Sequence, residues 1–254
     1  MRRIFLLAVI TFFGFGLMGD LQAHARGFVK AAFVRDGNLW IKTPNDERQI
    51  TKGGGVSSPE WSYDGKWIAY SKTIKEQDPW KQQLWVYNVQ KDQKHRVFLD
   101  NVYDYHWAPD KDVLAFLDGN VLDVVKLQHD GDHHFKNAAL GINNFAWLPD
   151  GSGFLASSSG HLLPTGWTAP ILFKIPADAT LSSDNIERFF EIPKDQFDIS
   201  TTGTSTFKWS PDKKWIAFLV VPTASISADT NTLCLLSSDG KTFKTVDEML
   251  NDET

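Results

Sequence analysis

The chain has 254 residues, with 26 Lys and Arg against 31 Asp and Glu, a formal net charge of −5 and a pI near 5.8. That length admits one large all-β domain or two ordinary ones, and the acidic balance excludes a nucleic-acid partner held through backbone phosphates, which needs a basic face. Hydrophobic residues at 42% exclude wholesale disorder, and a single Cys excludes an internal disulfide, so packing must supply the stability.

The amino terminus reads as an export signal. Met1-Arg2-Arg3 is a short positive region, Ile4 to Met18 is an apolar run, and Ala23-His24-Ala25 offers a small-x-small cleavage site. A membrane span needs about 20 apolar residues, and this run is shorter. Residues 1–25 are therefore expected to be a cleaved signal peptide, leaving residues 28–254 as one secreted or periplasmic domain without a stable membrane span. An uncleaved anchor is the alternative. No Cys lies near the cleavage point to carry a lipid, and the lone Cys234 suits an oxidising compartment best if it is buried.

Strand-like runs begin at Ala31-Ala32-Phe33-Val34, Asn38-Leu39-Trp40-Ile41 and Arg48-Gln49-Ile50-Thr51. Four related segments follow: Trp61-Ser62-Tyr63-Asp64-Gly65, Trp107-Ala108-Pro109-Asp110-Lys111, Trp147-Leu148-Pro149-Asp150-Gly151 and Trp209-Ser210-Pro211-Asp212-Lys213, spaced by 46, 40 and 62 residues. Each reads as a hairpin turn, because Pro presets one turn residue, Asp bonds the local backbone and Gly supplies positive φ. Aromatic and branched runs flank them, as in Trp67-Ile68-Ala69-Tyr70 and Trp215-Ile216-Ala217-Phe218. A third strand follows each hairpin (Gln83 to Tyr87, Asn120 to Val124, Ile171 to Lys174, Thr232 to Leu235), and a polar turn leads to a fourth. Four strands every 40 to 60 residues is the signature of a β-propeller blade. The expected fold class is all-β: a propeller of four-stranded blades, about five of them present. The first blade shows only its second, third and fourth strands. Its missing first strand is expected from the far end of the chain, yet the sequence stops at Thr254 where another repeat is due. The expectation is an incomplete member of a six- or seven-bladed parent, with a bare sheet edge.

The segment Ser58-Pro59-Glu60-Trp61-Ser62-Tyr63-Asp64-Gly65-Lys66-Trp67-Ile68-Ala69-Tyr70 resembles the WD-repeat-like unit of TolB-type β-propellers, and Trp209 to Phe218 matches it as closely. The resemblance covers residues 28–254. It implies a propeller fold and a non-catalytic scaffold role with protein partners of the cell envelope, in translocation or maintenance. TolB itself carries an α/β domain ahead of its propeller, and too few residues precede the first strand here to hold one.

Eight of the ten tryptophans fall at repeat positions and are assigned to packing between blades. The other two, Trp80 and Trp167, lie in connections between second and third strands, which are long in the second, fourth and fifth blades. Propellers carry these connections on their binding face, and a large aromatic buries much area with few rotors. Asp78, Pro79, Trp80, His161, Leu162, Leu163 and Trp167 are the expected partner-binding residues; the alternative is that these loops fold back over the core.

The run His129-Asp130-Gly131-Asp132-His133-His134 has the composition of a metal cluster but the position of a strand-joining turn. Adjacent His133 and His134 on a strand face opposite ways, so no metal is expected. Gly-x-Ser-x-Gly is absent, and Gly53-Gly54-Gly55 precedes no helix, so neither a serine elbow nor a phosphate loop is expected. The reading is a monomeric binding protein with no cofactor. Its alternative is the propeller portion of an extracytoplasmic enzyme, either a peptidase or a propeller lyase or glycosidase.

Overall fold

The structure, a computed structural model, describes residues 30–73, 81–99, 101–127, 134–197, 200–223 and 230–250. The expected signal peptide, Asp78, Pro79, Trp80 and most of the His-Asp-Gly run lie outside the described residues.

Five sheets follow one another along the chain as antiparallel meanders. Blade one has three strands, Ala31–Arg35 (β1), Asn38–Lys42 (β2) and Glu47–Gln49 (β3). Blade two comprises Val56–Trp61 (β4), Trp67–Thr73 (β5), Gln82–Asn88 (β6) and Gln93–Phe98 (β7). Blade three comprises Val102–Trp107 (β8), Val113–Asp118 (β9), Val121–Lys126 (β10) and His134–Leu140 (β11). Blade four is Asn144–Trp147 (β12), Gly153–Ser157 (β13), Ile171–Pro176 (β16) and Glu187–Glu191 (β17), with a small hairpin, Leu162–Leu163 (β14) and Gly166–Trp167 (β15), inserted between its second and third strands. Blade five is Thr201–Trp209 (β18), Trp215–Pro222 (β19), Thr230–Ser237 (β20) and Phe243–Leu250 (β21). The only helical turn among the described residues is the 3₁₀ turn Lys194–Gln196.

The repeat turns fold as their chemistry dictates. Ser62 Oγ donates to Asp64 Oδ1 at 3.0 Å, the same carboxylate accepts Lys66 N–H at 2.9 Å, and Ser62 Oγ accepts Trp67 N–H at 3.1 Å. Ser210, Asp212, Lys214 and Trp215 repeat the arrangement. It recurs at Ser237-Ser238-Asp239-Gly240, where it closes the β20–β21 turn instead. Gly65 and Gly151 take the left-handed position at φ 67° and 71°, but in blade five Lys213 occupies it at φ 61°.

Blades two, three and four are buried on both faces, and blades one and five on the face each turns to its one neighbour among the described residues. Within β5, Ile68 and Tyr70 pack toward blade one while Trp67 and Ala69 pack toward blade three. In β9, Leu114 and Phe116 join the cluster shared with blade two, and Ala115 and Leu117 the one shared with blade four. The period-2 alternation of a strand therefore feeds two cores rather than one core and solvent, which explains the unbroken apolar runs. A fourth such cluster joins blades four and five and encloses Cys234, whose thiol burial pushes up to about 12.

Indole rungs tie the innermost strands together. Trp107 Nε1 donates to Glu60 O at 3.1 Å, Trp147 Nε1 to His106 O at 2.9 Å and Trp209 Nε1 to Trp147 O at 3.1 Å. Trp61 stands at the matching place in β4, but blade one has no strand inside β1 among the described residues, and its buried Nε1 has no partner. Blade one docks instead through backbone: Val56 N donates to Gly37 O at 2.9 Å and Gly54 N to Asn38 Oδ1 at 3.0 Å. At Gly55 (φ 80°) a Cβ would lie 2.6 Å from Thr73 O, so the last glycine of the run serves close backbone approach, and the run leads into a strand.

Two stability outcomes follow. Trp147→Phe removes a buried rung and should cost about 1–2 kcal/mol more in urea unfolding than Trp61→Phe, which removes no hydrogen bond. Lys213→Gly relieves a left-handed Lys and should raise the urea midpoint by the equivalent of about 1 kcal/mol; a lowered midpoint would show that the Lys213 Nζ contact with Pro149 O outweighs the backbone.

Candidate functional site

The repeat tryptophans draw the first strands of the blades together, and β8, β12 and β18 converge around an open cavity of about 800 Å³. It lies on the side where second strands run into third strands. Tyr103, Asp104 and His106 line it from β8, Asn144 and Phe145 from β12, and Thr202 to Lys208 from β18. Trp167 and the Ser159–Gly160 connection complete the wall.

The inserted hairpin is anchored, not loose. His161 N donates to Thr168 Oγ1 and Thr168 N to His161 O, both at 2.8 Å. Gly160 N donates to Thr202 O at 2.8 Å, joining the hairpin's root to β18. A Cβ on Gly160 would sit 2.6 Å from Thr168 O and 2.8 Å from Thr201 O, so only glycine permits that approach. Lys194 Nζ donates to Trp167 O at 2.5 Å from the blade's outer side. Leu162 pairs with Trp167 across the hairpin, yet Leu162 is 65% and Leu163 48% exposed.

His106 is the electrostatic centre of the cavity. Its Nδ1 lies 3.2 Å from Glu60 Oε2 of blade two, and its Nε2 lies 3.2 Å from Asp104 Oδ1 of its own strand. Glu60 Oε1 also accepts Trp107 N–H at 3.0 Å. Burial works against an imidazolium here, but the hydrogen bonds to Asp104 and Glu60 prevail and raise its pKa to about 10. The ring is a charged clip between blades, with both nitrogens engaged. The opposite wall is strained: β18 bulges between Ser205 and Lys208, and Thr206 takes φ 57°. Asn144 is 8% exposed and its Nδ2 is buried without a partner. Among the described residues no group of three or more His, Cys, Asp or Glu is arranged to hold a metal ion.

Of the residues expected from sequence, the hairpin gathers His161, Leu162, Leu163 and Trp167, and only Trp167 reaches the cavity. Trp167 borders the cavity, and the two leucines face solvent. Asp78, Pro79 and Trp80 lie outside the described residues. Sequence reasoning missed Glu60, Tyr103, His106 and Asn144. One signal was legible: the residue before each repeat tryptophan is Glu60, His106, Ala146 or Lys208, so three of four are charged where a packed strand needs none.

No family model and no curated protein matches the sequence. Solved structures do resemble the fold. An oligogalacturonate lyase from Vibrio parahaemolyticus aligns with a TM-score of 0.59 at 14% identity, covering 86% of this chain and 62% of the lyase. A putative TolB from Agrobacterium tumefaciens aligns with a TM-score of 0.53 at 15% identity, over 87% of this chain and 77% of that one. Porphyromonas gingivalis dipeptidyl peptidase 4 aligns with a TM-score of 0.51 at 14% identity, over 86% of this chain and 38% of the peptidase. The chain thus spans less than two thirds of the lyase's length. No helix among the described residues is long and apolar enough to cross a membrane. By its blades, their order and these likenesses, the chain is a β-propeller.

The His106 clip sets a pH dependence. Its folded pKa of about 10 exceeds the ordinary 6.5, so its stabilisation is complete below pH 6.5 and is lost as pH rises through 10. Thermal melts should therefore fall from pH 7 to 10, and His106→Gln should flatten that fall while lowering the melting point at pH 7.

Proposed function

We propose that the chain is a non-catalytic binding module that works outside the cytoplasm, as residues 28–254 after removal of a signal peptide at 1–25, and takes a protein partner of the cell envelope on its hairpin face. The observation that carries this reading is the β14–β15 hairpin: it lifts Leu162 and Leu163 into solvent while Gly160 and the Trp167 carbonyl are bonded to other elements. Exposed apolar side chains on an anchored element lose little entropy on docking, which is what an interface anchor requires. Asp78, Pro79 and Trp80, in the sequence connection of blade two that corresponds to the hairpin's, are proposed as part of the same partner site. Envelope-associated translocation or maintenance is the corresponding process, in keeping with the fold likeness to a putative TolB.

A second reading, the propeller portion of an extracytoplasmic enzyme, is favoured by one observation: the fold also resembles an oligogalacturonate lyase, at a TM-score of 0.59, and a dipeptidyl peptidase, at 0.51, beside 0.53 for the putative TolB. Against it, His106 has both nitrogens bonded to carboxylates and holds its proton far above neutral pH, so it is a poor general base.

Affinity capture from an envelope extract separates the two. Leu162→Asp and Trp80→Ala should each lower recovery of a specific partner by about fivefold or more, the size expected of an interface anchor. Equal recovery from wild type and both variants removes the hairpin face as the partner site. Cleavage of polygalacturonate, or release of dipeptides from a peptide substrate, by the purified chain overturns the non-catalytic reading.

A further inference from the structure

The cavity behind the hairpin has a chemistry of its own, separate from the outward leucines. Two aromatic side chains border it from different elements. Tyr103, on β8, is 69% exposed and so contributes little to packing, and Trp167 presents its ring from a hairpin bonded on both sides. Between them the wall is hydroxyl and amide: Asn143, Asn144, Ser159, Thr202, Ser205 and Thr206. Asn144 borders the cavity, while its Nδ2 is closed off from solvent and has no protein acceptor. The bulge at Thr206 takes residues 206 and 207 out of the ladder with β19 and lays Thr206 at the cavity wall; Ser58 holds the same left-handed place in the bulge of β4, so the turn of the backbone belongs to the blade repeat.

Charge narrows the ligand class. The ionic groups at the cavity are Asp104, His106 and Lys208, with Glu60 behind His106. Two carboxylates stand against one imidazolium and one ammonium, so the site favours neither anions nor cations. An apolar ligand would strand the amides and hydroxyls. What remains is a neutral molecule with many hydroxyls and a flat C–H face to lie on an indole. A volume of about 800 Å³ suits a ligand of a few rings rather than one.

We propose that this cavity binds a neutral oligosaccharide, with Trp167 as its stacking platform, Tyr103 at its rim, and Asn143 and the β18 hydroxyls as its hydrogen-bonding partners. The site is independent of the protein partner, because the hairpin turns Leu162 and Leu163 away from the cavity it closes with Trp167.

The test is titration of the purified chain with maltotriose, cellotriose and chitotriose, with trigalacturonate as a charged comparison, read by calorimetry and tryptophan fluorescence. At least one neutral trisaccharide should bind, with Kd changing less than about twofold when salt is raised through the range that screens ion pairs. Trp167→Ala should weaken binding by about tenfold or more and remove the fluorescence change. Tyr103→Ala, at a surface position that folding does not depend on, should weaken it about threefold. Leu162→Asp should leave saccharide affinity unchanged even where it abolishes partner capture, which separates this site from the protein-binding one. The proposal is overturned if no neutral trisaccharide binds, if trigalacturonate binds more tightly than all three, or if neither aromatic variant weakens binding.

Discussion

Burial of the three interior blades on both faces is the constraint from which the rest of this structure follows. A β-sheet with one wet face needs alternating residues, but β5, β9 and β13 are apolar at successive positions, so each must be covered twice. Stacking the sheets around an axis achieves this with four interblade clusters, each drawing alternate residues from two neighbours. The tryptophan indoles then set the spacing at the centre, where each rung spends its one polar atom on the preceding innermost strand. Trp61 marks the point at which this pattern lacks a preceding strand among the described residues.

The same convergence produces the site. At the end of these strands away from the repeat tryptophans, polar side chains border the cavity beside Leu117, Phe145 and Phe207, which the interblade clusters bury. Charge there has to be compensated, because the surroundings are half-dry. His106 meets that demand by bridging Glu60 of one blade and Asp104 of another strand position, which makes an electrostatic clip out of residues that packing alone would not select. The bulges in β4, β8 and β18 belong to the same region, and two of them carry left-handed residues, Ser58 and Thr206. Irregular innermost strands, not loops alone, therefore shape what the propeller can hold.

Much of this was legible in the residues. The Trp-x-Pro-Asp turns locate every first hairpin, because their Ser, Asp and Gly chemistry is local and needs no tertiary partner. The division of tryptophans was legible in part: six of the eight periodic ones join the interblade clusters, Trp40 and Trp215 lie under Arg35 and Lys244 instead, and the aperiodic Trp167 reaches the cavity. The β14–β15 hairpin was not anticipated, since strands of two residues each carry no periodic signal and depend on Gly160 meeting β18. His106 and Asn144 were missed because their meaning lies in neighbours 46 and 60 residues away, Glu60 and Thr204's strand, which no local pattern reveals.

By itself, then, the sequence determined the all-β class, the blade as the repeating unit and the turns that close it, because these rest on φ/ψ preference and period-2 patterning within short stretches. Only the tertiary structure decided that Leu162 and Leu163 face solvent while Trp167 faces inward, that His106 is a charged clip, and that a hydroxyl- and amide-lined cavity sits where three blades meet. Those outcomes depend on which strands converge at the axis, a property of the assembled ring of blades that no single repeat contains.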